Sequence, residues 1–351
     1  WLVFDKADMI SGSALDAVFQ TLRKLEAGQD LQQFQPIELA IDAAREDAAA
    51  RADLEARLVS VLQGDATDMA KDYACRQLAI VGSDSCVPAL AALLPHARLS
   101  HMARYALEGL RSPAAAAALR EMLGKTQGRP QVGVVISLGR LADADAAVPI
   151  AALLAQDSVE LREAAVVALG RIGTVPAAEA LQKFAAETPE TLRGAVLDAQ
   201  LAAVESLCAQ GQHAAAVAIC EALAASDAPA TQAAAWRGLI VAKPDEAVGL
   251  IVAGLAAGEP WRQAVAADCV RQLPDQEELS ALVAAMPGLP PAGKIAALAG
   301  LTGRSAPQVR AAALQALQDA DAAVQVAALE TLVAAGTAED VPTLAAPAAT
   351  A

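Results

Sequence analysis

Few residues in this chain have the types and spacing that chemistry needs. The three histidines, His96, His101 and His213, are too scattered for a three-histidine metal site, and no H-E-x-x-H pair occurs. Five cysteines, Cys75, Cys86, Cys208, Cys220 and Cys269, form no C-x-x-C pair and no Cys/His group, so they read as small buried residues of helices. Cys75 and Cys86 bracket one expected helix-helix turn and could be bridged in an oxidising compartment. There is no G-x-S-x-G elbow, no G-x-G-x-x-G following a strand and no EF-hand spacing. Gly124-Lys125-Thr126 imitates the end of a phosphate loop, but the fingerprint needs a glycine where Leu119 stands. The densest acidic group, Asp275-Gln276-Glu277-Glu278, lies at an expected helix start, where carboxylates favour the helix dipole. These residues predict a protein that is not an enzyme and holds no metal or cofactor.

One segment departs from this background. From Arg98 to Arg140 the net charge is +5, in a chain whose net charge is -15. His101 and Tyr105 fall inside it, and an arginine cluster is a common way to hold a carboxylate, a phosphate or an acidic protein surface. The candidate site for an acidic partner is therefore Arg98, His101, Arg104, Tyr105, Arg120, Lys125 and Arg129. Arg104 stands about one turn before Leu107 and is expected on the exposed edge of its helix, away from the seam between neighbouring helices. The competing reading is that these cations pair with nearby acids or cap helix C-termini, as Arg111 and Arg140 could. Residues 172–351 carry a net -10 against -5 for residues 1–171, so a basic island early and an acidic half late could also associate head to tail.

The elements that position these residues follow from composition and period. The 351 residues are 55% hydrophobic but only 3% aromatic, which suits closely packed helices of Ala and Leu better than the wide core of a sandwich or barrel. The acidic balance opposes nucleic-acid binding, and no uncharged apolar run reaches the roughly 18 residues of a membrane span. Segments KDYACRQLAIVG (Lys71 to Gly82), QVGVVISLGRLA (Gln131 to Ala142) and REAAVVALGRIG (Arg162 to Gly173) repeat one design. A polar residue stands seven before an anchor leucine, helix-period apolar residues fill the gap, and a turn follows. The anchors Leu78, Leu107, Leu138 and Leu169 are spaced 29, 31 and 31. After each comes a second apolar run, as in VPALAALL from Val87 and VPIAALLA from Val148, with Pro88 and Pro149 in its first turn.

The phase continues through Leu207, Leu239, Val270, Leu298 and Leu332. The fold class is thus all-α: an α-solenoid of about nine helix-turn-helix units. Residues 1–64 form an N-terminal helical cap, with helices over Ala14 to Ala27 and Pro36 to Leu62. Regular repeats occupy 65–187, a longer tetratricopeptide-like hairpin with its turn at Gly211 occupies 188–226, and divergent repeats fill 227–351. Asp157, Thr188, Asp227 and Asp321 stand where helix N-caps belong.

The strings VALGRIGTVPAAEAL (Val167 to Leu181) and ACRQLAIVGSDSCVPALAALL (Ala74 to Leu94) resemble HEAT repeats of the short bacterial type first associated with phycobilisome lyases. The resemblance covers about four fifths of the chain and implies the fold. It implies function less directly, because such repeats occur in scaffolds, in lyases and as appendages of larger enzymes. The expected function is a non-catalytic scaffold that binds a protein along one solenoid face, as a subunit of a larger assembly or filament; the alternative is a lyase or cofactor-handling enzyme related to the bilin lyases. The chain begins at Trp1 without a leader pattern, which leaves the compartment open, with periplasmic or extracellular placement favoured over cytoplasmic. The final VPTLAAPAATA, 341–351, lacks polar capping and is expected to fray unless contacts order it.

Overall fold

The computed structural model describes residues 10–274 and 277–341. Every regular element among them is helical, and none is a strand. The chain divides into two compact units, Trp1–Ala203 and Val204–Ala351, with the division inside one long helix of the hairpin expected at 188–226.

The first unit opens with α1 (Gly12–Leu22), α2 (Gln35–Ala43) and α3 (Ala48–Gln63). The single helix expected over Pro36 to Leu62 is therefore two. Asp47 breaks it: its Oδ1 accepts from the amides of Ala49 and Ala50 at 2.9 and 3.0 Å, which caps α3 and ends any continuation from α2. Phe19 and Phe34 are buried in this part, and Phe34 packs at 5.4 Å from the ring of Tyr73 on the next helix.

Hairpins follow: α4 (Asp68–Val81) with α5 (Val87–Ala91), α6 (Ser100–Leu110) with α7 (Pro113–Leu123), α8 (Arg129–Arg140) with α9 (Ala147–Ala151), and α10 (Val159–Ile172) with α11 (Val175–Ala185). The long helix α12 (Arg193–Ala209) comes next. First helices stack on first helices, α4 on α6, α6 on α8 and α8 on α10. The anchors Leu78, Leu107, Leu138 and Leu169 are each fully buried in these seams. Two glycines set the closeness of approach. A Cβ on Gly139 would lie 2.7 Å from the Ala168 Cα, and one on Gly170 would lie 2.7 Å from the Ala199 Cα. The Gly that follows the anchor in each L-G-R string is thus the point where two helix backbones touch.

The second unit continues with α13 (His213–Ala224), α14 (Pro229–Ala242), α15 (Ala247–Ala256), α16 (Pro260–Gln272), α17 (Glu277–Ala285), α18 (Pro291–Leu301), α19 (Pro307–Ala316) and α20 (Ala322–Ala335). Leu207, Val270, Leu298 and Leu332 are buried as anchors, whereas Leu239 is only half-buried. On α14 the seam is filled by Ala235, Gly238 and Ile240; a Cβ on Gly238 would meet the Cys220 Sγ at 2.6 Å, so the inward face has turned away from Leu239.

The polar position seven before the anchor has a defined task. Gln131 Nε2 donates to the Leu123 carbonyl at 3.0 Å, and Gln232, Gln263 and Gln325 donate to Ser226, Ala257 and Asp319 carbonyls, each at 2.8 Å. Each glutamine therefore satisfies a carbonyl left open where the preceding helix ends. Of the four expected N-caps only Asp321 caps its helix, accepting from Ala323 N at 2.8 Å. Ser158 takes the place of Asp157, and Ser226 rather than Asp227 accepts from the Ala228 amide. Thr188 turns back to donate to the Phe184 carbonyl. Asp275 and Gln276 and the tail from 342 onward lie outside the described residues; Glu277 and Glu278 stand in the first turn of α17.

Candidate interaction face

The arginines of the basic segment do not gather into one free cluster. Arg98 pairs with Asp68 at 3.0 Å, Lys125 with Glu121 at 2.5 Å and Arg140 with Glu108 at 3.0 Å. Arg120, on the second helix α7, donates to both oxygens of Asp143 at 2.6 Å and reaches Asp145 at 3.4 Å. Arg129 is exposed at the first position of α8. Three of these partners, Asp68, Asp143 and Asp145, lie outside the 98–140 window. A repeat fold brings a residue against others about one repeat away, so the window overstates the local charge.

Arg104 corrects the sequence expectation most directly. It does not sit on an exposed edge but half-buried in the seam between α6 and α8. Its Nη1 donates to the Gly133 carbonyl at 3.1 Å and to the Ser137 hydroxyl at 3.3 Å. Ser137 in turn donates to Glu108 Oε1 at 2.6 Å, and Glu108 Oε2 holds Arg140. Burial lowers the pKa of the Arg104 guanidinium, an effect the Glu108 carboxylate opposes. The guanidinium lies against Gly133, where any side chain would collide with it. Arg104 is therefore a structural residue that ties one repeat to the next.

His101 and Tyr105 have a different fate. Both are exposed on α6, and together with Arg76, Gln77, Ile80 and Met102 they line an open groove of about 360 Å³ between α4 and α6. Tyr105 is 53% exposed and Ile80 61%, unusual for large side chains so near a core. Met102 is buried and forms the floor. The groove belongs to a longer row. Position two before the anchor carries Arg76 on α4, Tyr105 on α6, Ile136 on α8 and Val167 on α10. Contacts between Gly139 and Ala168, and between Glu108 and Ser137, hold these helices in register, so the row runs across the stack. Sequence reasoning found Tyr105 through its arginine neighbours and missed Ile80, Ile136 and Val167. The signal was present in part, as Tyr105, Ile136 and Val167 at one offset from the anchors Leu107, Leu138 and Leu169; Ile80 stands at a different offset, and Arg76 holds the shared one on α4.

Among the remaining polar groups, His96 Nδ1 accepts from the amides of Arg98 and Leu99 at 3.3 and 3.2 Å and closes the turn before α6. His213 is half-buried at the first position of α13, with Nδ1 enclosed. The five cysteines are free thiols, and burial pushes those of Cys75, Cys86 and Cys220 up to about 12. Thr126 of the phosphate-loop imitation is buried and donates to the Met122 carbonyl. In the second unit, the Arg262 guanidinium lies 5.2 Å from the ring of Trp236 and 5.1 Å from that of Trp261, a cation held between two indoles. Among the described residues no group of three or more His, Cys, Asp or Glu could hold a metal ion, and no helix is long and apolar enough to cross a membrane.

No protein-family profile matches the chain, and no curated protein matches it. Similar chains are found among solved structures. An engineered protein is 20% identical over 91% of this chain and 99% of its own, with a TM-score of 0.37. The karyopherin Kap121p, in its complex with the SUMO protease Ulp1p, is 14% identical over 93% of this chain, with a TM-score of 0.43; the match spans 46% of the karyopherin, about half its length. The complex of CpcE and CpcF of phycocyanin lyase from Nostoc is 20% identical over 71% of this chain and 94% of its own, with a TM-score of 0.33. The HEAT-like resemblance therefore rests on the repeats' own residues.

Proposed function

We propose that this protein is a non-catalytic interaction scaffold that binds a protein partner on the first-helix face of its first unit. The observation that carries the reading is the outward row itself. Tyr105 and Val167 are exposed where a helix surface normally carries charge and stand two repeats apart at one register, with half-buried Ile136 between them and exposed Ile80 beside Tyr105 in the groove. Solitary surface hydrophobics need no explanation, but a register of them across stacked helices is a surface for burial. The arginines contribute as edges of this surface rather than as its centre, because their carboxylate partners already neutralise most of them. The partner is thus selected first by apolar contact and only second by charge.

The test is affinity enrichment from native lysate with a Tyr105→Ser, Ile80→Ser double variant beside the unaltered chain. Both side chains are exposed, so the far-ultraviolet circular dichroism and melting midpoint should hold while the captured partner is lost. Retention of the same partner at the same yield would place binding elsewhere on the molecule.

A further inference from the structure

Helix α20 (Ala322–Ala335) is apolar on both of its faces. Val324, Ala327, Ala328, Thr331, Leu332 and Ala335 are buried on the inner one, where the Thr331 hydroxyl donates to the Leu298 carbonyl of α18 at 3.2 Å. The opposite face carries Val326, Leu329 and Val333, which are 55%, 46% and 88% exposed. A helix that is hydrophobic all round belongs in an interior, yet none of the described residues covers this outer face.

The repeat register constrains what can cover it. The position three before the anchor faces the next first helix: Cys75, Val135 and Val166 are fully buried there, and the Ala267 carbonyl oxygen would lie 2.5 Å from a Cβ on Gly300 of α18. Leu329 holds this position on α20. One residue after the anchor, Ala79, Gly139 and Gly170 let the neighbouring backbone come into contact. Helix α20 has Val333 there, which blocks so close an approach, so an occupant must interdigitate its side chains with the stripe instead.

The stripe also has the spacing and symmetry of a self-complementary surface. Ala322, Val326, Leu329, Val333 and Gly336 follow one another at intervals of four, three, four and three residues, which is the seam of a coiled coil and fits another helix. About Leu329 the sizes read the same in both directions: small, Val, Leu, Val, small. An antiparallel second copy therefore sets Leu329 beside Leu329, Val326 beside Val333 and Ala322 beside Gly336. No charge lies on the stripe to select a charged partner. The one charged residue of α20, Glu330, is exposed on its rim next to Leu329.

We propose that α20 is a self-association helix, through which two copies of this chain pair antiparallel about a two-fold axis near Leu329. The inference goes beyond the scaffold reading and uses the other unit of the molecule. A helix of 14 residues is about 21 Å long, a small contact beside the roughly 1,200–2,000 Å² of a standard interface, so the pair forms reversibly with concentration. The same axis brings the two Glu330 carboxylates to one rim, where they repel each other.

Sedimentation equilibrium of the whole chain over a concentration series tests the pairing. The unaltered chain should pass from monomer to dimer and no further. Val333→Glu should weaken the dimer by about tenfold or more, and Glu330→Gln should tighten it by about threefold or more. Both side chains are exposed, so helical content should hold. A bismaleimide should link two copies of Leu329→Cys but not of Val148→Cys, a control at an exposed position of the first unit. The Tyr105→Ser, Ile80→Ser variant should dimerise as before, which keeps this inference separate from the scaffold reading. A chain that stays monomeric, growth past the dimer, indifference to either α20 substitution, equal linking at positions 329 and 148, or loss of the dimer with Tyr105→Ser, Ile80→Ser would overturn it.

Discussion

A single residue shows how burial changes meaning. Arg104 has the type and neighbours of a recognition arginine, yet its guanidinium is committed to the Gly133 carbonyl and the Ser137 hydroxyl across a seam. Arg104→Glu would set a second carboxylate beside Glu108 and leave an inter-repeat carbonyl without its donor. We expect a loss of about 2 kcal/mol or more in chemical denaturation, since partly buried like charges and orphaned acceptors are both costly. An exposed arginine such as Arg171 changed in the same way should cost less than about 0.5 kcal/mol. The buried thiols give a second residue-scale expectation. Burial holds Cys75, Cys86 and Cys220 at about 12, above the roughly 8.5 of an exposed thiol. The fold therefore favours their neutral form, and this contribution is present below about pH 8.5 and lost as pH rises toward 12. Iodoacetamide at pH 8 should label these three slowly in the native protein and rapidly in urea; rapid native labelling would show that they are open to solvent.

At the scale of the helix, the decisive feature is how closely first helices approach. Gly170 lies where a Cβ would sit 2.7 Å from both the Cα and the carbonyl oxygen of Ala199, so the neighbour that must yield is backbone. Gly170→Ala should cost about 1–3 kcal/mol through forced separation of α10 and α12, outweighing the gain in helix propensity. Gly249, in α15, has nothing within 4 Å of an added Cβ, so Gly249→Ala should stabilise by about 0.5–1 kcal/mol. Urea titration of both variants separates the two effects, and a matching gain at both sites would mean that the seam is looser than the structure shows. The same scale explains the glutamines seven before the anchor. Gln131, Gln232, Gln263 and Gln325 look like surface polar residues in sequence, and only the hairpin geometry reveals that each closes the end of the helix before it.

For the molecule as a whole, local period was readable and contacts about one repeat away were not. The anchor spacing located the buried leucines because a 3.6-residue period and a turn are written in adjacent residues. Leu239 escaped because Ala235, Gly238 and Ile240 are apolar too, and which of them faces Cys220 depends on packing. The break at Asp47 escaped because an N-cap aspartate inside a charged stretch looks like one more surface acid. The candidate site was legible only in part: Tyr105 and His101 were found through the arginines around them, whereas Arg120 meets Asp143 and Arg98 meets Asp68 across repeats, which a sliding window of charge cannot see. Once the repeat register is known, the row of Tyr105, Ile136 and Val167 at one offset from three successive anchors follows directly, and it is the feature on which the proposed scaffold function rests. Photo-crosslinking from position 105 tests that claim most directly, with p-benzoylphenylalanine in place of Tyr105 and, as control, in place of the exposed Gln20 on α1. The account predicts one dominant protein adduct from position 105 in native lysate and none from position 20. Adducts equally abundant at both positions, or absent at 105, would contradict it.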